Sequence, residues 1–146
     1  YVNNSDGLNM FIPSKEGIIR CMRLAFKEKN ISIDYLNVHS TSTKIGDLIE
    51  LKAIKQVFMN YKKPMISATK SITGHSLGVS GVHEMIYTLL MMKHEFIAPS
   101  INIDMLEPCA ENMNILKKMI KKKFFVAMSN SFGFGGTNAS LIVKRY

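Results

Sequence analysis

Two histidines occupy matching places in this sequence. His39 closes the β-prone run that ends N-V-H and opens the polar loop S-T-S-T-K. His75 follows a second β-prone run, I-S-A-T, and the small polar turn K-S-I-T-G. If the two runs are parallel neighbouring strands, both imidazoles fall at one edge of a sheet. Two imidazole N–H groups aimed at one carbonyl oxygen would stabilise it as it gains negative charge. Lys70, Glu50 and Glu84 are the charged residues expected behind them. Two loop histidines held by local hydrogen bonds satisfy the same pattern, so the residues alone leave both readings open.

The carboxylates bear on the choice. At helical spacing Glu50 shares a face with Ala53, Ile54 and Val57, while Glu84 lies inside the apolar run V-H-E-M-I-Y-T-L-L-M-M. A carboxylate on an apolar face is costly unless something pairs with it. Lys70 is the partner expected for Glu84. If the face containing Glu50 is drawn differently, Glu50 is simply solvated.

Other chemistries fit less well. Gly74-His75-Ser76-Leu77-Gly78 satisfies G-x-S-x-G, the nucleophile elbow of serine hydrolases, in a strand–turn–helix context with Ser76 as nucleophile. That elbow needs an acid and then a histidine downstream. Only His83 and His94 follow, in or at the end of the adjacent helix, where neither is expected to reach back to Ser76. No H-G-G-G-type loop supplies an oxyanion hole. The four histidines show no H-E-x-x-H or facial-triad spacing, so no metal is expected. Cys21 and Cys109 lie far apart, in no C-x-x-C, and read as incidental thiols of a reducing compartment. The turn G-F-G-G leads into a strand rather than a helix, which removes the dinucleotide-loop reading.

The elements that must position these groups follow from periodicity. Ser14 caps a helix beginning at Lys15, whose apolar stripe is Ile18, Met22, Ala25 and Phe26. A strand spans 33–38, a helix opens at Gly46-Asp47, and a second strand spans 65–69. A helix covers 81–92, residues 98–103 form an extended connection, and a lysine-bearing surface segment follows. Runs at 124–129 and 139–143 flank a glycine-rich turn and make a β-hairpin. The order is that of a layered α/β unit, a mixed sheet with helices on its faces. At 146 residues the length fits one domain. Residues 1–7 carry neither a basic n-region nor an apolar h-region, and we read the whole as an internal stretch of a longer protein. The apolar run after Gly81 is too short and too polar to span a bilayer. The net charge of +8 comes mostly from scattered lysines without a nucleic-acid-binding signature, which favours a solvated face or an acidic protein partner.

Four stretches together carry a resemblance: N-V-H-S-T-S-T-K-I-G-D, I-S-A-T-K-S-I-T-G-H-S-L-G-V-S-G-V-H-E, F-I-A-P-S-I-N-I and S-N-S-F-G-F-G-G-T-N-A-S-L-I. In content and order the sequence resembles the β-ketoacyl-[acyl-carrier-protein] synthases, thiolase-like condensing enzymes, and within them the type I enzymes of bacterial-type fatty acid synthesis. Thiolases carry C-x-G where Gly133-Phe134-Gly135 stands here. Type III synthases pair His with Asn, and modular polyketide ketosynthases read H-G-T-G-T at 39–43.

The resemblance implies a thiolase-like fold, with residues 1–146 as the C-terminal half and the nucleophilic cysteine in an N-terminal half outside this sequence. It implies a decarboxylative Claisen condensation of a fatty acyl thioester with malonyl-acyl carrier protein, needing no cofactor beyond the phosphopantetheine that carries the substrates. His39 and His75 match the catalytic histidines, Lys70 and Glu50 the charged residues behind them, and Glu84 a buried supporting acid. The Phe134 N–H matches half of an oxyanion hole, Phe132 a gating ring, and Thr41 and Thr43 the lining of the pantetheine tunnel. A homodimer in bacterial cytoplasm or a plastid is implied too; a non-catalytic ketosynthase-like subunit is the alternative within the family. Ser40 replaces the family's Gly and Lys44 its Pro. A positive φ at residue 40 would therefore strain the chain.

Overall fold

The computed structural model describes residues 2–5, 9–26 and 31–146. At its centre lies strand β2 (Tyr35–Asn37), buried along its whole length. It runs parallel to β3 (Met65–Ser67) on one side and to β7 (Val126–Phe132) on the other. The hairpin expected near the end is present, β7 pairing antiparallel with β8 (Thr137–Lys144). Strands β1 (Val2–Ser5) and β5 (Asn114–Ile115) complete a six-stranded mixed sheet in the order β1-β8-β7-β2-β3-β5. A separate two-stranded sheet joins β4 (Phe96–Ile97) to β6 (Ile120–Lys121). Neither β1, β5 nor this small sheet was expected from the sequence, because all four strands are only two to four residues long.

Alternation along the strands divides the interior into two layers, since successive side chains point to opposite faces. Leu36 and Met128 belong to one core with Ile18, Met22, Ala53, Ile54 and Val57. These residues come from helices α1 (Lys15–Phe26) and α2 (Lys44–Val57). Tyr35 and Ala127 face the other side, with Met91, Met92, Ile97 and Phe124. There α4 (Ser80–His94), the longest helix among the described residues, covers the sheet. A sheet buried by helices on both faces is the layered α/β arrangement expected.

Local signals explain the helix starts. The Ser14 hydroxyl accepts the Gly17 N–H at 3.1 Å, so Ser14 caps α1 as expected. The Phe26 side chain and residues 27–29, which the expected helix also included, lie outside the described residues. Helix α2 starts at Lys44, two residues before Gly46. Lys44 is thus a first-turn residue, where the family's proline is favoured but its missing N–H is not required. Helix α4 is less enclosed than its apolar run implied, for Val82 is 58% and Ile86 and Leu89 each 47% exposed. No helix among the described residues is long and apolar enough to cross a membrane.

What this topology does for the site is set by register. Asn37 of β2 stands opposite Ser67 of β3. The two parallel strands therefore end together, and the residues after each leave the sheet at one edge.

Candidate active site

His39 leaves that edge from β2, and Lys70 leaves it from β3 as the first residue of the short helix α3 (Lys70–Thr73). The chain then turns through Gly74, at φ +75°, and brings His75 back over the same edge. The His39 and His75 rings meet at right angles with centroids 5.7 Å apart. Both line a cavity of about 710 Å³ that Glu50, Phe132 and Phe134 also border. A second cavity, of about 640 Å³, lies against Lys70 and His75. Thr41 and Thr43 line both, so the 40–43 loop is the wall between them.

Hydrogen bonds fix which nitrogen of each ring carries the proton. The Leu77 backbone N–H donates to His75 Nδ1 at 2.9 Å, so that nitrogen is an acceptor and the ring proton sits on Nε2. The Lys70 ammonium lies 3.4 Å from His39 Nδ1 and occupies that nitrogen in the same way. Burial, then the Lys70 charge and His75, push the His39 imidazolium down to about 3. His39 is thus a neutral imidazole that presents Nε2–H. Two such donors on adjoining rings suit an oxygen that gains charge during a reaction.

Behind them, Lys70 forms the buried ion pair with Glu84 that the sequence called for. Burial raises the Glu84 carboxyl above its ordinary range, and the Lys70 hydrogen bond and charge oppose that rise. Glu50 is solved differently. It is buried, and its two oxygens accept the backbone N–H groups of His39 and Ser40 at 3.0 and 2.8 Å. A carboxylate in α2 thereby clamps the loop that carries His39. Sequence reasoning could not name these partners, because backbone N–H groups leave no trace in residue type.

Ser40, held by that clamp, has φ +20°, and Ser42 has φ +62°. The positive angle where the family has glycine is therefore real. Ser40→Gly is expected to stabilise the fold by about 1 kcal/mol by removing a Cβ from a strained backbone. It gives up only a long 3.4 Å hydroxyl contact to Glu50. Urea denaturation of the two proteins measures the difference.

Other candidate residues fall as follows. The Phe132 ring is buried and packs 5.8 Å from His39, whereas the Phe134 ring is 73% exposed and meets Phe11 edge-on. Phe132 ends β7 and Phe134 lies in the turn that leads to β8, where Gly135 and Gly136 have φ +69° and +76°. His94 ends α4, away from the cavity lining. Cys21 is buried in α1 and Cys109 lies in a 3-10 turn, and neither lines either cavity. One expectation is overturned: His83 does reach Ser76, with Nδ1 3.0 Å from the hydroxyl oxygen. Leu77, at φ +54°, turns the chain so that Ser76 lies back over the first turns of α4.

The family model described as beta-ketoacyl synthase, C-terminal domain, matches residues 1–104. The chain belongs to the β-ketoacyl synthase family. It is 71% identical over 146 residues to the 3-oxoacyl-[acyl-carrier-protein] synthase 1 of Buchnera aphidicola subsp. Acyrthosiphon pisum, covering all of this chain and 36% of that protein. The Escherichia coli K12 protein of the same name is 53% identical over 145 residues, covering 99% of this chain and 36% of its own length. Among solved structures, a beta-ketoacyl synthase from Burkholderia phymatum superposes with TM-score 0.90 at 35% identity, covering 99% of this chain and 36% of that one. The chain spans little more than a third of the relatives it matches. Those likenesses carry the thiolase-like fold expected from the sequence.

The buried groups of this β-ketoacyl synthase domain give it a particular response to acid. Residue 39 keeps a proton below 6.5 when unfolded but only below about 3 when folded. Across that window the unfolded chain binds more protons, so falling pH destabilises the fold. Glu50 acts the other way: burial lifts it to about 7 from 4.5, so falling pH stabilises the fold until 4.5. The two slopes oppose above 4.5, and of this pair only His39 still titrates below it. Urea midpoints are expected to fall below that pH in the parent protein. In His39→Gln the fall should be much reduced and a rise from neutral pH down to 4.5 uncovered.

Proposed function

We propose that this chain is the C-terminal part of a 3-oxoacyl-[acyl-carrier-protein] synthase that forms the carbon–carbon bond of fatty acid elongation. An acyl group passes from acyl carrier protein to a cysteine of the remaining, N-terminal part of the protein. Malonyl-carrier protein then enters. Its carboxylate leaves as CO2, and the electron pair of the broken bond moves into an enolate whose charge collects on the thioester oxygen. The enolate carbon attacks the acyl carbonyl, the cysteine thiolate leaves, and a 3-oxoacyl-carrier protein two carbons longer is released.

The observation that carries this reading is the pair of imidazoles with Nδ1 occupied and Nε2–H free to donate. Both can hold the malonyl thioester oxygen, and that oxygen is far more negative in the enolate than in the substrate. Lys70 keeps His39 in the right tautomer, while Glu50 holds its backbone. The Phe134 N–H serves the acyl carbonyl, Phe132 gates the acyl chain, and Thr41 and Thr43 line the path of the pantetheine arm. The lysine-rich surface suits an acidic carrier protein. No cofactor of its own is required; the full-length protein works as a homodimer in bacterial cytoplasm or a plastid.

The contact between Ser76 and His83 favours one rival, a serine hydrolase. Incubation of the full-length protein with acyl- and malonyl-carrier proteins should yield the 3-oxoacyl product. A fluorophosphonate probe should leave Ser76 unlabelled, and Ser76→Ala should lower the condensing rate by no more than about tenfold, the size of one lost hydrogen bond, where loss of a nucleophile would abolish turnover. Stoichiometric labelling of Ser76 without a condensation product would instead establish the hydrolase.

A further inference from the structure

A chain of hydrogen bonds runs away from His75 on the side opposite its free Nε2–H. The Ser80 hydroxyl lies 2.9 Å from His75 Nδ1. The Ser76 hydroxyl lies 3.4 Å from that of Ser80, and His83 Nδ1 lies 3.0 Å from Ser76. The Leu77 N–H gives this chain a direction. Because it donates to His75 Nδ1, that nitrogen carries no proton, so Ser80 approaches it as a donor. The Ser80 oxygen is then open to the Ser76 hydroxyl proton. With its one proton used, Ser76 accepts from His83, which must hold its proton on Nδ1.

We infer that Ser80, Ser76 and His83 form a directed hydrogen-bond relay that positions and polarises His75, making Ser80 and His83 positioning residues for decarboxylation. The inference rests on the condensing function proposed above. The physical ground is cooperativity: each donor in a chain is strengthened by the donor behind it. Density drawn from Nδ1 makes the opposite Nε2–H a better donor to the enolate oxygen. Ser80 is 6% exposed, so water does not readily replace its hydroxyl beside Nδ1. The relay uses the Ser76–His83 pair that resembles a hydrolytic dyad, and it gives that pair a role without nucleophilic attack.

The test is made in the full-length protein. Ser80→Ala and His83→Leu are each expected to lower kcat for CO2 release from malonyl-carrier protein about two- to tenfold, the size of one ordinary hydrogen bond. KM should stay unchanged, because the enolate charge is absent from the bound substrate. His83→Gln, whose side-chain amide can still donate to Ser76, should recover most of the loss. Independently of activity, the nitrogen-15 resonance of His75 Nδ1 should move towards that of a free acceptor in Ser80→Ala. An unmoved resonance, or an unchanged kcat in Ser80→Ala where His75→Ala loses CO2 release, would overturn the relay while leaving the function standing. Unchanged CO2 release in His75→Ala would instead remove the function itself.

Discussion

Lys70→Ala is expected to destabilise the full-length protein by about 3–5 kcal/mol, the cost of leaving one member of a buried ion pair alone. The side chains of Lys70 and Glu84 are 5% and 3% exposed. Lys70 bonds Glu84 Oε1, and Oε2 has no hydrogen-bond partner among the described residues, so removing Lys70 leaves the carboxylate in α4 without compensation. Burial then drives the Glu84 carboxyl further up. A carboxyl whose folded pKa lies above its unfolded one is destabilising at high pH, and the penalty fades as pH falls towards the folded value. The deficit, read from urea denaturation, should therefore shrink in acid. Lys70→Met combined with Glu84→Leu should restore most of the stability, because a buried ion pair adds little over well-packed apolar side chains. The double variant should still release CO2 slowly. His39 Nδ1 would have lost its donor, and with it the charge that helps keep the ring neutral.

The second large effect is chemical. His75→Ala is expected to slow malonyl decarboxylation by at least ~10²-fold, the lower range for loss of one oxyanion donor. The substitution removes an exposed side chain and frees the exposed Leu77 N–H, but the turn is also held at two other points: Gly74 donates to the Lys70 carbonyl and Val79 to that of Ser76. Folding should therefore be little affected, which separates this result from that of Lys70→Ala. His39→Ala should cost as much in CO2 release. It should also cost stability, since that ring sits between Lys70 and the buried Phe132.

How far these residues could be read from the sequence depended on the physics that places them. His39 and His75 were legible because two short β-prone runs each ended in a histidine-bearing polar loop, and parallel strands in register must end at one edge. Lys70 and Glu84 were legible because a carboxylate inside an apolar helix demands a cation. Glu50 was only half legible: its burial could be inferred, but its partners are the backbone N–H groups of His39 and Ser40. The reach of His83 to Ser76 was misread. It depends on the positive φ of Leu77, an angle that residue type does not announce. Strands β1 and β5 escaped for another reason, because V-N-N-S and N-I are too short to show a period of two.

The central claim is that the two imidazoles serve the enolate and not the acyl transfer, and parallel assay of the two half-reactions tests it most directly. On the same preparations of the full-length parent, His39→Ala and His75→Ala proteins, radiolabelled acyl transfer to the cysteine is measured beside CO2 release from malonyl-carrier protein. The account predicts that both variants load acyl groups at a rate much closer to that of the parent while CO2 release falls by ~10²-fold or more. Equal loss of both half-reactions in a folded His75→Ala protein, or CO2 release at the parent rate, would contradict it.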